Sequence, residues 1–536
     1  MSGLMTKLIA VLLSAAIVVL CLGGCSDKTA GQLFKYDLDA DPANLDPQLA
    51  NDYASLLVIE NTMEGLLRLK EDGGLTEGVA TDYTVSDDGT TYKFTLRQNA
   101  KWQNGDPVTA HDFVFAFQRL FKPETGSTTA QDFYCIKNSQ SIHKGEMDAG
   151  KLGVSAKDDY TLIIQLDYPN AMFPALLTTA AAMPCNKDFF YDTKGKYGLE
   201  AKTTLSNGPF YLKAWGHDDY LSCRLNDQYQ SAQQPVASGV SFIVEDSRED
   251  QISRFQKQQS SAIVLSGQEA AELREKNYQF TSFENTVWGI AFNQNGTPFA
   301  NKNLRLALLY AFSPQSFDKQ LPEDLKRISA VVPQSITLLN RAYRDYAGSN
   351  MLPEFNAAKA REYLALAKNE LGADKLNGLE LIAPAGTGVD HLGLFSYVSQ
   401  IWQKELGIYL AVKELPADEF QTALESGNYQ CAITSLSAQY NSPASVLSSF
   451  TSGSAKNLFG YKSETYDSIL AGAARQNGLS QAAAEYKKAE RRIINDGVFL
   501  PLYVQKEYFT TEADTTGVIY HAATKMVQFS QGRKKG

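Results

Sequence analysis

The strongest constraint on this chain lies near its amino end, where Lys7 precedes an apolar run from Leu8 to Leu22, broken only by Ser14, and Gly23 and Gly24 follow. One cation, an apolar stretch and small residues form the grammar of a cleaved secretory signal. The run is shorter than the roughly 20 apolar residues that a spanning helix needs. No later segment is apolar enough to span a membrane. Removing the first 24 of 536 residues leaves 512, expected to fold in water outside the cytoplasm. At roughly 100–200 residues per domain that is about three domains.

An exported body permits disulfides. Once Cys21 is removed and Cys25 set aside, Cys135, Cys185, Cys223 and Cys431 remain. Four cysteines allow three pairings, and sequence does not choose among them; buried free thiols are the simpler expectation. Their wide spacing excludes a local metal motif. The five histidines (His111, His143, His217, His391, His521) show no ligand spacing, so no metal site and no cofactor are expected. Net charge is −10, or −11 without Lys7, which argues against nucleic acid as a partner. The chain has no HExxH, GxSxG, Walker or GxGxxG motif. Ser141-Ile-His-Lys144 matches an SxxK pattern by chance, since the later KTG is missing. No enzyme is expected.

Strand patterns occupy Leu33 to Asp39, Phe94 to Leu96 after an Asp87-Asp88-Gly89 turn, and Tyr160 to Leu166. Thr109 to Phe121 reads as a helix capped by Thr109, with Asp112 at its third position. Phe113, Phe117, Leu120 and Phe121 share one face, and Pro123 closes it. In the second half, helical spacing marks Asn303 to Phe312, Asn356 to Leu371 and Ser480 to Ile494. Strand patterns lie between, at Leu379 to Ile382, Ile408 to Val412 and Cys431 to Ile433. Such alternation implies α/β lobes with mixed sheets.

Leu22-Gly23-Gly24-Cys25 resembles the lipobox of bacterial lipoproteins. That makes 1–24 a signal peptide, Cys25 the lipidated residue and 25–31 a short tether. Further motifs run in order along the chain: Asn44-Leu45-Asp46-Pro47, Glu64-Gly65-Leu66-Leu67, and Phe94-Thr-Leu-Arg97 with Lys101-Trp102. Asn104-Gly105-Asp106-Pro107, Thr109 to Phe113, Asn207-Gly208-Pro209-Phe210 with Trp215, and Phe292-Asn293 with Pro298-Phe299 and Leu304-Arg305 follow. Trp402 with Leu406-Gly407-Ile408, Tyr440-Asn441-Ser442-Pro443 and Leu500-Pro501-Leu502 complete the series. Together they resemble the family 5 extracellular solute-binding proteins, receptors of ABC importers for oligopeptides, dipeptides or nickel complexes. The resemblance implies an α/β, two-lobed periplasmic-binding-protein fold of the class II, or cluster C, type. It has mixed sheets, an inserted domain and a cleft between lobes. Lobe one would comprise 32–69, 199–284 and 500–530, the inserted domain 70–198, and lobe two 285–499.

In such relatives the ligand is buried between lobes, and peptides pair their backbone with the protein. By position, Asp41, Pro42 and Ala43 would line the cleft from lobe one, and Phe133 and Tyr134 from the inserted domain. Val287, Trp288, Gly289, Leu436, Gln439, Tyr440 and Asn441 would face them from lobe two. Trp288 and Tyr440 offer flat area with a polar handle, although core packing is an equal reading of either ring. Peptide-binding members often carry an aspartate, which anchors the peptide's ammonium, where this chain has Gln439. An amide still accepts that hydrogen bond but without the charge assistance. The resemblance therefore implies longer or blocked peptides held by backbone contacts, or a non-peptide solute such as a metal chelate or saccharide, unless another acid such as Asp41 takes over. The expected role is a monomeric receptor, anchored by lipid to the outer face of the cytoplasmic membrane, delivering an oligopeptide to a permease. A peptide-pheromone receptor on the same fold is the alternative; a cell-wall enzyme or extracellular chaperone is more distant.

Overall fold

The computed structural model describes residues 31–274, 278–339, 341–387, 389–454 and 456–535. The apolar run, Cys25 and all of the 25–31 tether except Gly31 lie outside the described residues.

Local sequence signals place most of the anticipated elements to within a residue or two, among many more that the chain forms. The helix Ala110–Phe121 starts where expected because the Asp112 carboxylate accepts the Thr109 N–H at 2.7 Å, a satisfied first turn worth about 1 kcal/mol. It is buried more widely than its stripe implies, for Arg119 and Phe115 also face protein. His111, by contrast, is exposed. The helices Lys302–Ala311, Ala357–Leu371 and Leu479–Asn495 match the three later patterns. Asn356 caps the middle one, accepting from Lys359 N at 2.9 Å. The helix Tyr53–Thr62, in which Ser55, Glu60, Asn61 and Thr62 interrupt the apolar residues, carried no periodic signal and was not expected.

Three larger sheets organise the chain. Leu33–Leu38 pairs in parallel with Gly239–Val244, followed by Tyr220–Leu225 and Phe210–Gly216 in antiparallel order. Ala80–Val85, Thr91–Leu96, Thr161–Gln165 and Val154–Asp158 form a second, wholly antiparallel sheet. The third is mixed: Ala262–Leu265, Phe499–Thr511, Thr281–Phe292, Cys431–Leu436, Leu379–Pro384 and Leu410–Leu415, with Leu325–Arg327 joining Phe499–Thr511. Its two longest strands, Thr281–Phe292 and Phe499–Thr511, run side by side from Thr281↔Phe509 to Ala291↔Phe499, with irregularities at Glu284/Thr286 and Trp288/Gly289. At one end Phe499–Thr511 meets Ala262–Leu265; at the other Thr281–Phe292 meets Cys431–Leu436. The two strands thus bridge separate hydrophobic cores. Residues from opposite ends of the chain share one of those cores: Phe529 packs against Phe34 and Tyr36, with ring centroids 5.8 and 5.7 Å apart.

Most of the shared motifs turn out to be scaffold. Arg119 holds the Asp46 carboxylate with both guanidinium nitrogens and Gln48 Oε1 at 2.7 Å. Glu64 is held by Arg97 and accepts from Tyr229 Oη at 2.7 Å, while Asn207 exchanges two hydrogen bonds with the Glu64 backbone. Asn293 donates to the carbonyls of Gly427 and Tyr429, and Arg305 to those of Phe299, Ala300 and Asp496. These side chains satisfy backbone groups that burial would otherwise strand, at about 1–3 kcal/mol each. Glu490 does the same on a larger scale, accepting from Val331 N, Val332 N and Tyr343 Oη and pairing with Arg344. Cys135, Cys185, Cys223 and Cys431 are buried free thiols.

Candidate ligand-binding cleft

A cavity of about 600 Å³ is walled by stretches of chain far apart in sequence. The helix Tyr53–Thr62 and the hairpin Ile519–His521/Met526–Gln528 supply Leu56, Glu60, His521 and Met526. The segment between the second sheet's strands and its exit supplies Thr128, Thr129, Asp132, Phe133 and 178–181. Gln421, Glu425, Gln439, Tyr440, Lys456 and Leu458 complete it. A second cavity of about 390 Å³ adjoins it, for Asp132, Leu176, Tyr440 and Lys456 line both.

The walls touch one another across this space. Lys456 Nζ donates to Gln439 Oε1 at 2.7 Å and to Asp132 Oδ2 at 3.4 Å. Burial raises the Asp132 carboxyl above the ordinary range, and the Lys456 ammonium pulls it back. Asn441 Nδ2 donates to the Gly73 carbonyl at 3.1 Å and to Thr337 Oγ1 at 2.6 Å. Gly73 has φ +81°, and a Cβ there would lie 2.8 Å from both Asn441 Nδ2 and Thr337 Oγ1, so only glycine permits this approach. Ala171 N–H donates to the Gln476 carbonyl at 3.0 Å, and Arg475 lies 4.6 Å over the Tyr168 ring.

The anticipated residues divide. Phe133, Gln439 and Tyr440 line the larger cavity; Tyr134 lines the smaller one with its hydroxyl 2.7 Å from His143 Nδ1. Asn441 bridges the walls instead of lining the space. Val287, Trp288 and Gly289 lie inside the mixed sheet, opposite Leu436, Ser435 and Thr434, and neither they nor Leu436 line either cavity. Trp288 is packed against His391 with centroids 4.3 Å apart, and its indole N–H reaches Gln505. Asp41, Pro42 and Ala43 are also absent from the cavity wall. The Asp41 carboxylate accepts from Trp215 Nε1 and meets His217 Nδ1, each at 2.8 Å, so it is not free to replace an anchoring acid.

Sequence reasoning missed Glu60, His521, Asp132 and Lys456. Glu60 alone carried a local signal, as the one acid of its helix. Facing the cavity and partly buried, its carboxyl is raised by burial to about 7, with the Gln528 amide as hydrogen-bond donor.

The family model "Bacterial extracellular solute-binding proteins, family 5 Middle" matches residues 74–457. The chain belongs to this family. It is a binding protein and not an enzyme, and its family works outside the cytoplasm. This family 5 protein is 26% identical over 497 residues to the dipeptide-binding protein DppE of Bacillus subtilis, covering 92% of this chain and 91% of the relative. Among solved structures, OppA of Listeria monocytogenes bound to peptide has a TM-score of 0.77 at 26% identity, covering 95% of this chain and all of that one. The murein tripeptide-binding protein MppA of Escherichia coli gives 0.78 at 25% identity, covering 94% of this chain and 98% of that one. An unliganded open form of MppA gives 0.70, covering 94% and 97%. The fold is the mixed α/β binding-protein architecture that the motifs implied, in a conformation less like that open form.

Proposed function

We propose that this family 5 protein is the lipid-anchored receptor of an ABC importer, which captures an oligopeptide in the cleft and presents it to the permease. The observation that carries the reading is the large cavity walled by stretches of chain far apart in sequence. It has polar, apolar and charged groups spread over its surface, as a site for ligands of varied side chain requires. The relatives named for dipeptide, oligopeptide and murein tripeptide binding support the same class. We assign 32–69, 199–284 and 500–530 to lobe one, 70–198 to the inserted domain and 285–499 to lobe two. The strands Thr281–Phe292 and Phe499–Thr511 then form the hinge. Ligand contacts made to both lobes stabilise the closed state only by the amount they exceed contacts to the open one. Diacylation at Cys25 would hold the receptor at the membrane, where two acyl chains anchor stably and one does not.

The test is native mass spectrometry of residues 26–536 purified from the host, followed by identification of what co-purifies. A ladder of peptide masses is expected. A single non-peptide mass or a metal chelate would keep the receptor and refute the peptide.

A further inference from the structure

We infer that Glu60 forms a subsite on the cavity wall that takes a cationic group of the ligand, an ammonium or a guanidinium. The inference rests on the cavity being the binding site.

Three carboxylates line the larger cavity. Asp132 already has a cation in Lys456, and Glu425 is exposed. Glu60 makes no ion pair among the described residues. Its partner is the neutral Gln528 amide, and nearby Arg68 is turned to Glu64 at 3.8 Å and to the Glu77 carbonyl at 3.2 Å. On the same wall His521 is 2% exposed, with both ring nitrogens sealed from the cavity. Burial lowers its basicity, so the ring stays neutral and brings no competing positive charge. Gln528 neighbours both groups, and the pairing of His521 with Met526 fixes the ring on the same hairpin that carries Gln528. The Glu60 carboxylate, with one oxygen held by Gln528, keeps acceptor capacity toward the cavity, which suits a group with N–H donors and a positive charge. Lys456 cannot fill this role, since Gln439 and Asp132 already hold its ammonium. The ligand class is thus a peptide with a basic side chain or free amino terminus directed to the wall formed by Tyr53–Thr62 and the hairpin.

The test uses alanine tetrapeptides carrying one lysine at each successive position, with free and with blocked termini. The same peptides with norleucine compete against them in native mass spectrometry at pH 7. Lysine peptides, or free over blocked amino termini, are expected to win by about 10- to 100-fold, and Glu60→Gln is expected to bring the two sets level. Equal binding of both sets by the wild type, or a preference that survives Glu60→Gln, would overturn the subsite and leave peptide binding standing. If no peptide binds, the peptide reading fails, and n-butylammonium against n-butanol decides the subsite alone. A thermal shift with the ammonium in the wild type, absent in Glu60→Gln, supports it; no difference refutes it.

Discussion

Lys456→Met removes the cation that ties Asp132 to Gln439 across the cavity. At the 3.4 Å separation from Asp132, Coulomb's law in an effective dielectric near 20 gives about 5 kcal/mol before desolvation is counted. The side chains are 26% and 11% exposed, so desolvation and screening leave a net contribution of about 1–2 kcal/mol. Methionine keeps the bulk of the side chain but leaves Asp132 without its cation, and the carboxyl, already raised by burial, takes up a proton more readily still. Each 1.4 kcal/mol is tenfold in an equilibrium, so the ligand-free ratio of closed to open molecules should fall roughly 10-fold. Single-molecule FRET between dyes on Glu124→Cys and Glu419→Cys, both exposed positions, reads that ratio directly, because the described native thiols are buried. A ligand-free distance distribution identical in wild type and Lys456→Met would refute the claim that this contact biases closure.

Glu490→Gln should destabilise by about 3–5 kcal/mol, since it leaves the Arg344 guanidinium buried without a counter-charge and turns a donor toward other donors; chemical denaturation followed by fluorescence measures it, and a loss under 1 kcal/mol would contradict the geometry. His391 is lowered by burial to about 4, against an unfolded value near 6.5. The unfolded chain therefore protonates first, so stability is full above pH about 6.5, is lost by about 3 kcal/mol as pH falls to 4, and is flat below. His391→Gln should flatten that window in a pH series of melting curves. Burial pushes the Cys135, Cys185 and Cys223 thiols up to about 12; a disulfide-exchange reagent should leave all four described thiols unmodified in the native 26–536 body at pH 8 and react with them once guanidinium is added.

Much of the fold was legible because its signals are local. Thr109 with Asp112, the Asn356 cap and the stripe Ala360, Leu364 and Ala367 each act within one or two turns of helix. The motifs from Asp46 to Arg305 were legible as a set, although their work is to satisfy buried backbone and charge rather than to hold ligand. The site was harder to read because Glu60 and Gln528 are far apart in sequence and meet only through a helix–hairpin contact. Position along the motifs brought Tyr440, Gln439 and Phe133 to the cavity. Trp288 and Asp41 instead lie away from both cavities, with their polar atoms paired to neighbouring side chains.

The meeting of Phe34 with Phe529 has a bearing on the order of events as the chain is delivered from its amino end. The sheet that begins at Leu33 must wait for Gly239–Val244, and its core for a ring almost 500 residues later. Much of the later chain can collapse while Phe34, Tyr36 and Phe242 are still exposed to whatever accompanies the nascent chain. A chain stopped just short of Phe529 would therefore damage the part made first.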